Sequence, residues 1–165
     1  MRNVVLARVD DRLIHGEVVS VWTPSLSANR ILVADDDVAA DSFNVRVLKS
    51  LAPEGVKVFV SSVEDAARGL MKDPIPGERV IVLTKSPIAF ARMVAAGVPL
   101  REVNLGGMGI RGERKPFIKN VAADPQEVAA IEELRDAGVR VFYQLVPEQA
   151  VIEVDDALER ARKEV

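Results

Sequence analysis

The chain contains no cysteine and a single histidine, His15. A structural zinc site takes about four ligands, mostly cysteine and histidine, so this composition excludes such zinc sites, iron–sulfur clusters and thiol chemistry. It also excludes a disulfide framework. Any chemistry that needs an imidazole must therefore use His15.

Aromatic residues are scarce, and basic charge is not in excess. The sequence has five phenylalanines, one tyrosine and one tryptophan, and 22 lysines and arginines are scattered among 25 acidic residues, for a formal net charge of −3. Proteins that bind nucleic acid carry a basic stripe or aromatic residues that stack on bases. We therefore expect no nucleic-acid partner.

Long hydrophobic runs are also missing from the sequence. No segment approaches the roughly 18 unbroken apolar residues that a membrane span needs, and the apolar run after Met1 is too short for a secretory signal. The sequence thus predicts a cytoplasmic protein that reaches a membrane only through partners. A length of 165 residues suits one domain, 1–165, with a full core.

What the chain does have is an alternation of short β-branched runs and helical patterns, which is typical of parallel strands joined by crossover helices. Several runs, such as Arg79–Leu83, are apolar on both faces and predict an open doubly wound sheet with helices on both sides. The predicted strands are Val4–Arg8, Arg30–Ala34, Lys57–Val60, Arg79–Leu83, Glu102–Leu105 and Arg140–Gln144.

Helices are predicted between these strands from apolar residues at three- and four-residue spacing. Their predicted spans are Val63–Met71, Pro87–Ala96, Pro125–Ala137 and, with mixed charge, Asp155–Lys163. Ser62 and Asp124 are expected as N-caps, and Gly97 and Gly138 lie where a left-handed residue ends a helix.

His15 follows the first predicted strand, at the carboxyl edge where open α/β sheets bind ligands. The segment 10–14 is predicted to be a loop, and a helix is predicted from Gly16 through Trp22. The backbone N–H groups at the start of that helix would face a phosphoryl group carried by the histidine.

The charged residues before His15 favour phosphoryl transfer through a phosphohistidine. A neutral imidazole is a nitrogen nucleophile, and transfer needs cations that stabilise the phosphoryl oxygens. Arg8 and Arg12 can supply that charge in bidentate form, and Asp10 or Asp11 can accept the other ring N–H and fix the tautomer. The alternative is that His15 caps a helix or closes a turn, with its charged neighbours solvated.

Further loops leave the same predicted edge of the sheet. Gly106 and Gly107 either let backbone N–H groups approach an anion or form a turn with positive φ. Ser86 either offers its hydroxyl to the site or caps the next helix. The charged segment Arg111–Lys115 is either a solvated loop or a docking rim.

The run RVDDRLIHG at residues 8–16 closely resembles the phosphorylation loop of one group of proteins. These are the IIB subunits of the mannose/fructose/sorbose class of the bacterial phosphoenolpyruvate-dependent sugar phosphotransferase system. The resemblance covers nearly the whole chain and includes Asp35–Asp36, Ser86–Pro87 and Asn104–Met108.

This resemblance implies a cytoplasmic phosphocarrier that accepts a phosphoryl group from a IIA protein on His15. It then transfers the group to a sugar during uptake through membrane IIC and IID subunits. The implied fold is an open, mostly parallel α/β sheet with helices on both faces and an antiparallel edge strand, without metal or other cofactor. The residues that the resemblance places around the site are Arg8, Asp10, Arg12, Ser86, Gly106 and Gly107.

One departure from the family pattern is Glu17, where members commonly have glutamine. Its carboxylate alters phosphoryl transfer if it points at the His15 ring and has little effect if it points to solvent. The sugar is not predicted, because specificity is expected mainly in the membrane subunits.

Two alternatives to a transport subunit stay open. One is a regulatory phosphocarrier of the same fold, and the other is a non-catalytic module that binds a small anion. A homodimer is a further possibility: a surface helix carrying Val45, Val47, Leu48 and Leu51 either supplies a dimer face or packs on the sheet.

Overall fold

A seven-stranded sheet forms the centre of residues 1–164, the part of the chain that this computed structural model describes. Its strands are β1 (Val4–Val9), β2 (Arg30–Ala34), β3 (Lys57–Ser61), β4 (Val80–Thr84), β5 (Glu102–Leu105), β8 (Arg140–Tyr143) and β9 (Ile152–Glu153). A separate antiparallel hairpin consists of β6 (Lys115–Ile118) and β7 (Val121–Ala123).

The strand order in the sheet is β3-β2-β4-β1-β5-β8-β9. Every neighbouring pair is parallel except β8 and β9, which pair antiparallel at one edge. All five residues of β4 are buried, as expected of a strand covered on both faces. The predicted fold class is confirmed, including the antiparallel edge strand.

Helices cover both faces of the sheet. A π-helical turn, Val18–Trp22, continues into α1 (Thr23–Ser25), and the remaining helices are α2 (Asp36–Ala39), α3 (Ser42–Ser50), α4 (Val63–Leu70), α5 (Pro87–Ala95), α6 (Pro125–Asp136) and α7 (Asp155–Lys163). The π-helical turn, α2 and α3 pack on one face, and α4 to α7 pack on the other.

Local chemistry fixes the helix ends at the predicted positions. The Ser62 hydroxyl accepts a hydrogen bond from the N–H of Asp65 at 3.1 Å, and Asp124 forms a reciprocal capping box with Glu127. Gly97 and Gly138 end their helices with φ of 106° and 83°, where glycine avoids the steric cost of a Cβ. Each predicted strand and crossover helix is present, with ends that differ by at most one residue.

The shortest strands are not predicted from the sequence. Neither hairpin strand β6 nor β7 was predicted, and β9 has only two residues. Such pieces are too short to show an alternation of apolar and polar residues. The predicted N-terminal helix is also irregular, because five of its residues form the π-helical turn.

The apolar residues of α3 do not all pack on the sheet. Leu48 is buried, while Phe43, Val47 and Leu51 form an exposed stripe at four-residue spacing. The packing alternative therefore holds for Leu48 only, and the homodimer stays a prediction. Within residues 1–164, no helix combines the length and apolar character needed to cross a membrane.

Candidate active site

The topology opens a crevice at the carboxyl end of β1. The chain leaves β1 toward the face of α1 and leaves the neighbouring β4 toward the face of α5. Connections that depart to opposite faces of a parallel sheet leave a crevice at the strand ends, and ligands bind there. The loop that carries His15 lies at this point.

Asp10 organises this loop. Its side chain is 0% exposed, and its Oδ1 accepts a hydrogen bond from the Arg12 N–H at 3.1 Å while its carbonyl accepts one from Leu13 at 3.0 Å. Leu13 adopts a left-handed backbone with φ of 58°, an unfavourable conformation for a branched side chain. Burial of the Leu13 side chain holds this turn closed, and the turn brings His15 back over the carboxylate.

The decisive contact joins His15 Nε2 to Asp10 Oδ2 at 2.9 Å. An ionised carboxylate only accepts hydrogen bonds, so Nε2 carries the hydrogen and the lone pair of the neutral ring lies on Nδ1. Nδ1 has no hydrogen-bond partner among the described residues and lies below the molecular surface. The His15 side chain as a whole is 11% exposed. Its imidazole is thus oriented by Asp10 with one nitrogen left unbonded.

Arg8 lies behind Asp10 and does not face the crevice. Its side chain is 0% exposed, and its guanidinium donates to Asn104 Oδ1 at 2.6 Å, to the carbonyl of Gln144 at 3.0 Å and to Asp10 Oδ2 at 3.2 Å. The same group lies 5.2 Å from the centroid of the Trp22 ring. The prediction that Arg8 contacts phosphoryl oxygens is therefore wrong, because a fully buried guanidinium with these bonds supports the carboxylate instead.

Asp10 stays ionised despite its burial. Burial raises the pKa of Asp10, but the hydrogen bonds from His15 and the Arg12 N–H and the charge of Arg8 outweigh it and hold the pKa below its ordinary value. Burial also lowers the pKa of the Arg8 guanidinium, against the opposing effect of Asp10. An arginine remains protonated in proteins, so the buried pair is ionic.

This shift predicts a loss of stability in acid. Because the pKa of Asp10 is lower in the folded chain than in the unfolded chain, its contribution is complete above the ordinary aspartate pKa of about 4. We expect the free energy of unfolding to fall as the pH drops below that value. Urea titrations of the parent and of Asp10→Asn at pH 6 and pH 3 check this, since the variant should lose less stability in acid. Equal losses in both proteins would contradict the assignment.

Gly106 and Gly107 serve close packing. A Cβ on Gly106 would overlap the Arg8 guanidinium, and a Cβ on Gly107 would lie 3.0 Å from Asp10 Oδ1. Neither residue has a positive φ, and the Gly106 N–H already donates to the carbonyl of Val9 at 2.9 Å. The Gly106 N–H is therefore bonded within the sheet, and the alternative of a turn with positive φ is wrong. An anion contact from the Gly107 N–H stays a prediction.

Arg12 is the guanidinium of the His15 loop that reaches the surface, with 60% of its side chain exposed. Its Nε lies 3.9 Å from Asp10 Oδ1, and its Nη2 lies 3.8 Å from Glu17 Oε2. The Glu17 carboxylate therefore lies beside Arg12. Whether Glu17 affects a phosphoryl group at His15 stays a prediction.

A second ionic cluster joins three loops around the crevice. Arg114 donates to both oxygens of Asp11 at 2.9 Å and to Glu127 at 2.7 and 2.9 Å, and Ser86 donates to Glu127 Oε2 at 2.9 Å. Burial lowers the pKa of Arg114, but its bonds to Glu127 and Asp11 raise it by more, to a net increase. Ser86 also caps α5 by accepting from Ile88 N–H, so the cap alternative describes what the structure shows.

Replacing Arg114 by lysine is expected to lower the free energy of unfolding by about 2 kcal/mol, the size of a lost hydrogen bond to a charged group. A lysine keeps the charge but lacks the planar fork that serves two carboxylates at once. Chemical unfolding of Arg114→Lys beside Arg111→Lys, an exposed neighbour, measures the difference. Equal stability of the two variants would show that the bonds of Arg114 to Asp11 and Glu127 do not stabilise the fold.

No group of three or more His, Cys, Asp or Glu side chains among residues 1–164 could hold a metal ion. The arrangement offers instead an oriented imidazole, a buried counter-charge and an exposed guanidinium. These side chains can position a phosphoryl group and stabilise its charge.

Known proteins are similar to this chain over most of its length. A family model described as "PTS system sorbose subfamily IIB component" matches residues 4–165. The chain belongs to the sorbose-subfamily IIB components. It is therefore a phosphotransferase of the sugar-transporting phosphotransferase system.

Individual relatives agree with this membership of the IIB family. The fructose-specific EIIB component of Bacillus subtilis (strain 168) is 35% identical over 150 residues, which cover 91% of this chain and 92% of that protein. The crystal structure of the IIBSor domain of the sorbose permease from Klebsiella pneumoniae superposes with a TM-score of 0.87 at 35% identity, covering 96% of this chain and 97% of that chain. The mannose-specific EIIAB component of Escherichia coli (strain K12) is 34% identical over 158 residues, which are 96% of this chain but 49% of that longer protein.

Sequence reasoning missed several residues that support the site of this IIB component. Asn104 accepts from Arg8, Trp22 packs over Arg8 and donates to the carbonyl of Leu145 at 3.0 Å, and Arg114 joins Asp11 to Glu127. One signal was present: an asparagine within an otherwise apolar strand needs a buried polar partner. The Arg114 clamp had no such signal, because it lies in a run of charged residues.

Proposed function

We propose that this chain is a cytoplasmic phosphocarrier that accepts a phosphoryl group from a IIA protein on Nδ1 of His15. It passes the group to a sugar bound by membrane IIC and IID subunits. The observation that carries the proposal is the 2.9 Å contact between His15 Nε2 and Asp10. That contact leaves the nucleophilic lone pair on the other ring nitrogen.

The first step exchanges one P–N bond for another. The Nδ1 lone pair attacks phosphorus, the bond to the IIA histidine breaks, and that histidine nitrogen keeps the electron pair. The His15 ring gains positive character, and the Nε2 hydrogen bond to Asp10 stabilises it as the charge develops. Arg12 supplies the exposed guanidinium for the phosphoryl oxygens.

The second step hands the group to the sugar. A sugar hydroxyl oxygen attacks phosphorus, the hydroxyl proton is lost to a base or to solvent, and the P–N bond electrons return to Nδ1. His15 is then neutral again, with its hydrogen still on Nε2. Asp10 therefore keeps its hydrogen bond to Nε2 in both transfer steps and stays ionised throughout.

Access to Nδ1 requires a movement of the ring. Nδ1 lies below the surface in the closed loop, whereas in-line attack brings phosphorus directly to it. We infer that residues 12–15 shift when a IIA protein approaches, so that Nδ1 is uncovered while Nε2 keeps its hydrogen bond to Asp10. Leu13, with its left-handed backbone, lies within this segment, and the π-helical turn begins shortly after it at Val18. Both features are typical of functional sites.

The test is phosphorylation by a purified IIA protein from the same organism, followed by addition of membranes that contain IIC and IID and a panel of hexoses. We expect an acid-labile, alkali-stable label on His15, assigned to Nδ1 by 31P and 15N NMR, and its loss to one sugar when membranes are present. His15→Gln is the control and should take up no label. No label on the parent overturns the proposal, and label on Nε2 overturns the choice of nitrogen. Label without sugar transfer would assign a regulatory role.

A further inference from the structure

Among residues 1–164, Ile110 has the most exposed large apolar side chain, with 72% of its surface accessible to solvent. A single exposed apolar residue is common on protein surfaces and needs no function. Ile110 differs because of where it lies. Its neighbour Gly109 donates its N–H to Asp11 Oδ2 at 2.7 Å, so Ile110 stands beside the loop that carries His15.

The segment around Ile110 is held rigidly. Arg114 donates to the carbonyl of Gly109 at 3.1 Å, and Arg111 donates to Asp11 Oδ1 at 3.0 Å. The backbone before Ile110 and the side chain of the residue after it are therefore both bonded to the Asp11 carboxylate of the His15 loop. An apolar side chain on a pre-ordered segment costs little conformational entropy when a partner covers it.

The charges next to Ile110 suit a protein surface. Arg111 is 57% exposed and the equally exposed Arg12 lies on the adjoining loop, with the Glu17 carboxylate beside Arg12. Arginine is among the residue types enriched in the energetically dominant part of interfaces. The segment Gly109–Arg111 thus combines an apolar anchor with a flanking guanidinium.

We propose that Gly109–Arg111 is the docking segment for the IIA protein, with Ile110 inserted into an apolar recess beside the IIA phosphohistidine. This inference rests on the proposed function and adds the surface by which IIA is recognised. The partner is chosen because the segment adjoins His15 and because a relative of this chain is an EIIAB protein about twice as long as the matched region. Because the segment is bonded to Asp11, it lies at a fixed position relative to Asp10 and His15. Docking there would align the two histidines.

The experiment compares two phosphoryl donors. Phosphoramidate is a small donor that needs no docking, and phosphorylated IIA is the protein donor. For Ile110→Ser, we expect the rate of His15 labelling by phospho-IIA, relative to the rate with phosphoramidate, to fall tenfold or more, chiefly through KM. Ile110→Leu should restore most of the rate, because it retains the apolar volume. Ile75→Ser replaces another exposed isoleucine, in the loop before β4 and so at the opposite edge of the sheet, and is the matched control that should not alter the ratio.

The outcomes separate the two proposals. If the parent takes label from phosphoramidate but none from phospho-IIA, the proposed function fails and the docking segment fails with it. If the parent takes label from phospho-IIA and Ile110→Ser changes the ratio no more than Ile75→Ser does, only the docking segment is overturned. A fall in kcat with unchanged KM would also overturn it, because that result assigns Ile110 to the transfer step.

Discussion

Asp10→Asn is expected to slow phosphoryl transfer to His15 by about 100- to 10,000-fold. A carboxylate that orients a histidine contributes up to about 10,000-fold in other enzymes, because the amide stabilises the wrong tautomer and leaves the charged ring without a partner. Here the same carboxylate also neutralises the fully buried Arg8. Loss of its charge should therefore reduce both the rate and the stability of the fold.

Single-turnover transfer from phospho-IIA measures this effect, with circular dichroism to show that the variant is folded. Asp73→Asn, an exposed aspartate, is the matched control and should transfer at the parent rate. An Asp10→Asn variant that is folded and transfers within about threefold of the parent would show that the 2.9 Å contact has no part in catalysis.

Gly106→Ala is expected to lower the free energy of unfolding by about 3 kcal/mol, the upper end of the cost of overpacking a core. The added Cβ would occupy the space of the Arg8 guanidinium. That group cannot move aside without giving up its bonds to Asn104 and Asp10. We also expect slower phosphoryl transfer, because the displaced Arg8 no longer supports the carboxylate.

Gly69→Ala provides the matched control. Gly69 lies within α4 and a Cβ there meets nothing within 4 Å, so alanine should stabilise the helix by about 0.5–1 kcal/mol. Denaturant unfolding compares the two variants. In an Arg8→Ala background, Gly106→Ala should cost much less than in the parent. Equal costs in both backgrounds would show that Gly106 and Arg8 do not compete for space.

The fold could be predicted from the sequence where a segment was long and regular. β4 is apolar on both faces, and α6 begins at Asp124 with a capping box that the sequence displays directly. The hairpin β6–β7 could not be predicted, since its strands have four and three residues and include Pro116. Its position depends on tertiary contacts with α6 and α7 rather than on its own pattern.

The candidate site was predictable as a set of residues but not as a geometry. The motif placed Arg8, Asp10 and His15 together, yet it treated Arg8 as a surface cation. Which face of β1 Arg8 occupies depends on strand alternation, and its burial depends on Asn104 from β5 and on Trp22. The contact between Arg8 and Asn104 joins residues 96 positions apart, a separation that no local pattern reveals.

The central position of β1 makes the strand more resistant to opening than the turn that follows it. Amide hydrogens of β1 are locked between β4 and β5 and should exchange with solvent only when the whole domain unfolds. Asp11 is fixed by Arg114, whereas residues 12–15 are held by hydrogen bonds from the Arg12 and Leu13 N–H groups to Asp10 and by the burial of Leu13. We expect this part of the turn to open locally, on the microsecond-to-second timescale of local unfolding. We therefore expect the histidine to become exposed by local opening, without unfolding of the whole domain.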